Sequence, residues 1–202
     1  VYDTPGPDAT GTNHKESAIK AINLCDVAIF AIDYSKYLTK DEEEYLKQIK
    51  TLFETKHKFH TLVFVINKMD LALNDKEAKS RIKSIDFIRK RLCDIDEHYK
   101  DCVIFATSAQ DYFYSLELLQ AAHEDKKCSV FLDSKTNLYT ELRGIKEELE
   151  EEEFQNEELI NVLSNLDAEV GKIKSQLGYK SVTIQTLQNY SGVPQLMNYV
   201  SY

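Results

Sequence analysis

The tetrapeptide Asn67-Lys68-Met69-Asp70 follows directly on the apolar run Leu62-Val63-Phe64-Val65-Ile66. A carboxylate at the Asp70 position can accept two parallel hydrogen bonds from the N1–H and exocyclic amine of guanine, a donor pair that adenine does not offer. Asn67 would tie the loop to its neighbours, and the Lys68 stem would cover a face of the base. Two further segments stand in order around it. Asp3-Thr4-Pro5-Gly6 comes earlier by the length of a helix, a strand and another helix, and Ile104-Phe105-Ala106-Thr107-Ser108-Ala109 ends a later apolar stretch in a small polar loop. Each segment alone is a weak signal. Asp3 could merely cap a turn made by Pro5 and Gly6, and Asp70 could cap a helix beginning at Leu71. Their order, each at the C-terminal end of an expected strand, carries the weight.

These segments resemble the nucleotide loops of GTPases. Asp3-Thr4-Pro5-Gly6 resembles the DxxG motif, in which the Asp holds Mg²⁺ through a water and the Gly N–H faces the γ-phosphate. The resemblance therefore implies catalytic roles for Asp3 and Gly6, with Asp3 also the magnesium contact. It makes Asn67, Lys68 and Asp70 the base readers. Ser108 and Ala109 become the loop that closes over the base, with the Ala109 amide at the guanine O6. GTP or GDP and Mg²⁺ are the implied ligands. Pro7 stands where Ras-like enzymes place a water-positioning Gln, and a prolyl ring cannot orient a nucleophile. His14 is a candidate substitute base, although a single His in such a loop is more often a solvated polar residue.

The elements that must position these residues alternate. Asn13 to Cys25 reads as a helix with Ala18, Ile19, Ile22 and Leu24 on its apolar side. Val27 to Ile32 is an unbroken apolar run, which favours a strand buried on both faces. Thr39 followed by Asp41, Glu42 and Glu43 is a helix start, with a hydroxyl cap and acids opposing the positive dipole end. Tyr45, Leu46, Ile49, Leu52 and Phe53 recur behind it at helical spacing. The strand ending in Asn67 comes next, then a helix with Ile82, Ile85, Ile88 and Leu92 facing inward, then a strand from Cys102 to Ala106. The expected fold class is α/β, a P-loop NTPase-like parallel sheet flanked by helices, with right-handed crossovers.

Beyond Ala109 the pattern changes. Leu142, Ile145, Leu149, Glu152, Asn156, Leu159, Leu163, Leu166, Val170, Ile173 and Leu177 alternate three and four apart, a heptad seam. The polar break at Glu152 and Asn156 suits a bend or hairpin between two helices, and the apolar stripe reads first as self-packing within the domain and second as intermolecular coiling. Tyr190-Ser191-Gly192-Val193-Pro194-Gln195-Leu196 has the SGφxxL form, where φ is apolar, that many GTPases place at the start of their last helix. The expected layout is a partial G domain over 1–110, an acidic coiled-coil-like helical insertion over 111–186, and a final G-domain helix over 187–202.

The chain has 202 residues, 43% of them hydrophobic, and a net charge of −9, which disfavours a broad nucleic-acid-binding surface. No apolar run approaches the roughly 20 residues of a membrane span. Cys25, Cys93, Cys102 and Cys128 form no CxxC pair and read as reduced core thiols in a cytoplasmic protein. The opening Val1-Tyr2-Asp3 reads as the end of a strand whose beginning is missing. Gly6 to Gly11 has the GxxxxG spacing, but Thr12-Asn13 replaces the Lys-Ser/Thr pair, so a phosphate loop is expected upstream of Val1 and the 202 residues alone are expected to be inactive.

The string Asp3-Thr4-Pro5-Gly6-Pro7-Asp8-Ala9, with Gly11 and His14, resembles bacterial dynamin-like GTPases, in particular the subgroup that includes a sliding-clamp-binding protein. That resemblance implies nucleotide-driven self-association through the nucleotide face and peripheral membrane contact or remodelling; it says little about the helical insertion, whose acidic run reads first as a solvated helix face and second as a surface for a protein partner. A regulatory GTPase related to translation factors is the alternative enzyme. A coiled-coil interaction module on a decayed GTPase core is the non-enzymatic one.

Overall fold

The computed structural model describes residue 4 and residues 20–56, 61–74, 81–124, 137–151 and 157–201. Asp3, Gly6, His14, Cys128, Glu152 and Asn156, and with them the DxxG segment and the polar break in the seam, lie outside the described residues. The chain divides into two compact units. One comprises Val1–Asn67 with Lys79–Ala106, and the other Lys68–Ala78 with Thr107–Tyr202.

The first unit is built on three parallel strands, β1 (Ala28–Asp33), β2 (Leu62–Asn67) and β3 (Val103–Ala106), in the order β1-β2-β3. Phe30 sits opposite Phe64 and Ile32 opposite Ile66 across the first pair, and Phe64 opposite Ile104 across the second. Helix α1 (Lys40–Lys56) joins β1 to β2, and α2 (Arg81–Ile95) precedes β3. The start of α1 is a capping box: Glu42 N–H donates to Thr39 Oγ1 at 3.3 Å, and Thr39 N–H donates to Glu42 Oε2 at 2.7 Å. Two orphan donors of the first turn are thereby satisfied. Leu46, Ile49 and Phe53 are buried as their spacing requires.

The core of this unit is aromatic. Tyr45 of α1 stacks on Phe30, and Tyr99 meets Phe64 edge-on at 5.8 Å between centroids. The Tyr99 hydroxyl, fully buried, donates to the Leu46 carbonyl at 2.6 Å, and burial pushes its phenol up in pKa. Arg89 of α2 donates to the carbonyls of Lys100 and Cys102, fixing the entry to β3. There the Cys102 thiol is buried, which raises its pKa to about 11.

Three sequence expectations fail in this unit. β2 is buried at every position from Leu62 to Ile66, but β1 is not: Ile29 is 52% exposed and Ala31 is exposed as well. Among the described residues β1 is an outer strand, and an apolar run records composition without recording what covers it. Ile82 is exposed, and the buried stripe of α2 is Ser84, Ile88 and Leu92. Successive steps of three fall short of a full turn by about 60° each, so a stripe counted from Ile82 drifts off the face. Leu24, expected inward, is exposed at the end of a helical stretch over 20–24.

The second unit is helical. It contains a 3-10 segment, Met69–Asn74, and helices α3 (Ala109–Glu124), α4 (Leu138–Glu151), α5 (Glu157–Leu177), α6 (Ile184–Ser191) and α7 (Val193–Val200). Helices α4 and α5 run antiparallel: the Tyr139 ring lies under Lys174 and close to Gly171, while Arg143 reaches Asp167 at 3.6 Å. Leu138, Leu142 and Ile145 bury against Leu163, Leu166, Val170 and Ile173, and Val182, Ile184 and Leu187 complete this core. The seam thus packs within the chain. It stops short of Leu177, which is exposed where α5 ends before Gly178 at φ 68°. Among the described residues no helix is long and apolar enough to cross a membrane.

Candidate functional site

The residues expected from the sequence to read the base are placed largely by backbone. Asn67 is the last residue of β2, half-buried, and its carbonyl accepts from Tyr34 N–H at 3.0 Å within the sheet unit. In the helical unit, Lys68 is exposed and takes a left-handed backbone at φ 66°, uncommon for a residue with a Cβ. Met69 N–H donates to the Thr107 carbonyl at 3.0 Å, which joins the Lys68–Asp70 loop to the loop that carries Ser108. Asp70 lies in the first turn of the 3-10 segment and is only 6% exposed.

Ser108 braces that carboxylate. Its hydroxyl donates to Asp70 Oδ1 at 2.9 Å and accepts from Asp111 N–H at 3.1 Å, so one side chain caps α3 and orients the Asp70 carboxylate. Ser108 is fully buried, and its own N–H donates to the Ser191 carbonyl at 2.7 Å. Ala109, exposed, is the first residue of α3, where the helix dipole is positive and suits a carbonyl acceptor such as the guanine O6.

The donor and acceptor chemistry fits guanine. The Ser108 bond occupies one lone pair of Oδ1, and among the described residues no hydrogen bond is made to Oδ2. Two carboxylate oxygens offer about four acceptor positions, so capacity for a bidentate partner remains. Of the residues anticipated from sequence, Asp70 and Ser108 are joined directly, and Lys68 and Ala109 belong to the same unit. Asn67 belongs to the sheet unit. The residues that sequence reasoning missed are Thr107 and Ser191, because each acts through a main-chain carbonyl. The left-handed Gly192 beside Ser191 was the one available signal.

Parallel strands in the order β1-β2-β3, flanked by helices, form an α/β sheet of the P-loop GTPase type. A family model described as the Gtr1/RagA G protein conserved region matches residues 1–116, and the chain belongs to that family. No curated protein and no solved structure matches the chain. The family match supports neither the bacterial dynamin-like group that the N-terminal string resembles nor membrane remodelling. NKxD and DxxG are shared across GTPases, and they do not separate one family from another.

Proposed function

We propose that Asp70, with Asn67, Lys68, Ser108 and Ala109, reads the guanine base of GTP and GDP, as the base-binding part of a nucleotide-hydrolysing G protein. The observation that carries this reading is the buried Asp70 carboxylate held by the Ser108 hydroxyl at 2.9 Å. A carboxylate that merely capped a helix would not need a second loop to orient it. Bound GTP would supply the phosphoanhydride that is hydrolysed, and Mg²⁺ would neutralise its charge. Asp3 and Gly6 are the residues proposed to face that end. Membership of a G-protein family supports the hydrolytic half of the reading.

The test uses guanosine and xanthosine, which need no phosphate contacts, titrated into the chain and followed by NMR. Asp70→Asn should weaken guanosine binding by about 10- to 100-fold, the worth of hydrogen bonds to a charged acceptor. It should move the preference toward xanthosine, whose 2-carbonyl matches an amide donor. Guanosine affinity left unchanged in Asp70→Asn would remove Asp70 from the base site.

A further inference from the structure

We infer that the Ser191–Gly192 turn is a positioning element for the guanine-reading loop, and that through it base selectivity depends on the core shared by α4, α5 and α6. The inference rests on the guanine reading above. Its first support is a relay of two hydrogen bonds: the Ser191 carbonyl accepts from Ser108 N–H at 2.7 Å, and the Ser108 hydroxyl donates to Asp70 at 2.9 Å. A displaced Ser191 carbonyl would leave the buried Ser108 amide unsatisfied or drag it along. Either outcome moves the hydroxyl that orients Asp70.

The second support is that the turn is fixed from several sides. Ser191 is fully buried, its hydroxyl donates to the Gln188 carbonyl, and it accepts from Val193 N–H at 3.2 Å. Gly192 is buried at φ 76°, ψ −7°, and its N–H donates to the Asn189 carbonyl at 3.2 Å. Glycine takes that conformation at no steric cost, and a β-branched residue does not. A chain reversal held this way delivers the last carbonyl of α6 to a loop far away in sequence.

The third support is what anchors α6. Thr183 caps its start, with Thr186 N–H donating to Thr183 Oγ1 at 3.1 Å. Ile184 and Leu187 then bury among Leu142, Leu166 and Ile173 of the helical pair. The path from that core to the base reader runs α6, Ser191, Ser108, Asp70, without a break. A partner or substitution that shifts the helical pair would therefore be felt as altered discrimination among purines.

The experiment compares Gly192→Val, Gly192→Asn and wild type by amide hydrogen exchange and by titration with guanosine and inosine, which lacks the 2-amine that Asp70 would bind. Gly192→Val should speed exchange at the Ser108 amide at least tenfold and reduce the guanosine-over-inosine preference about tenfold. Asn tolerates the left-handed region and should restore both. If Gly192→Val also loses protection in α4 and α5, Leu187→Ala provides the milder displacement, with the same two shifts expected. Released Ser108 exchange with an undiminished guanosine preference overturns the inference, as does Ser108 exchange that stays slow. A wild-type chain with no preference between the two nucleosides would instead sink the guanine reading, while the Ser108 amide still reports on the turn.

Discussion

The two units bury their interiors in different ways. The sheet unit is organised by rings: Phe30, Tyr45, Phe64 and Tyr99 meet at defined angles, and one buried hydroxyl finds one carbonyl. The helical unit is organised by an aliphatic stripe of Leu, Ile and Val along α4, α5 and α6. Ring geometry is directional and tolerates few replacements, whereas aliphatic side chains can repack if their volume is kept. Asp70 and Ser108 both fall in the helical unit, so the carboxylate proposed to read the base is braced by the more adaptable of the two cores.

The largest effect that could break this contrast is core truncation. Phe64→Ala should cost about 4 kcal/mol and Leu166→Ala about 3 kcal/mol, the usual range for buried large-to-small changes. Leu166→Met should cost less than about 1.5 kcal/mol because volume is conserved. Urea denaturation followed by amide exchange in β2 and α5 measures each loss in its own unit. Equal tolerance of Phe64→Met and Leu166→Met would erase the distinction.

A smaller effect should come from the cap of α1. Thr39→Ala removes the side-chain half of the capping box and should cost about 1 kcal/mol, read as lost protection in the first turn of that helix. The helical unit offers the matching change, Thr183→Ala at the start of α6, with a loss of similar size. Agreement between the two would show that helix ends obey one rule whatever core they serve.

The smallest effect is electrostatic. Asp96 pairs with Lys50, caps the 3-10 segment Glu97–Asp101 through His98 N–H, and has its pKa lowered to about 2, with Lys50 the leading cause. A carboxylate whose folded pKa is depressed adds stability above its unfolded pKa and loses it as pH falls through the folded value. Asp96→Asn should therefore destabilise the sheet unit at neutral pH, and the gap from wild type should close between about pH 4 and pH 2. Salt should shrink the neutral-pH gap, because the pair is partly exposed.

Much of the sheet unit was legible in the sequence. Apolar runs marked β1, β2 and β3, Thr39 and Glu42 marked a helix start, and Asn67 of the NKMD segment fell at the end of a strand. The faces of β1 and α2 were less legible. Whether Ile29 or Ile82 meets protein or water depends on elements elsewhere in the chain, which local pattern does not encode. In the helical unit, three- and four-residue spacing showed the described part of the seam, Leu142, Ile145 and Leu163 to Ile173, and Leu177 escaped because helix termination, not periodicity, decides its burial. The Ser108–Ser191 bond was invisible for a deeper reason: both partners are backbone atoms, present at every residue and therefore unmarked.

The thiol of Cys102, buried at the threshold of β3, has a kinetic meaning. Thiol reagents attack the thiolate, and the Cys102 thiol, shifted by burial to about 11, stays almost wholly protonated at neutral pH until an opening exposes it. Among the described residues, half-buried Cys25 and Cys93 will be modified before Cys102, and label arriving at Cys102 will count the moments when the third strand peels open. The protein thus contains its own clock for the breathing of its sheet.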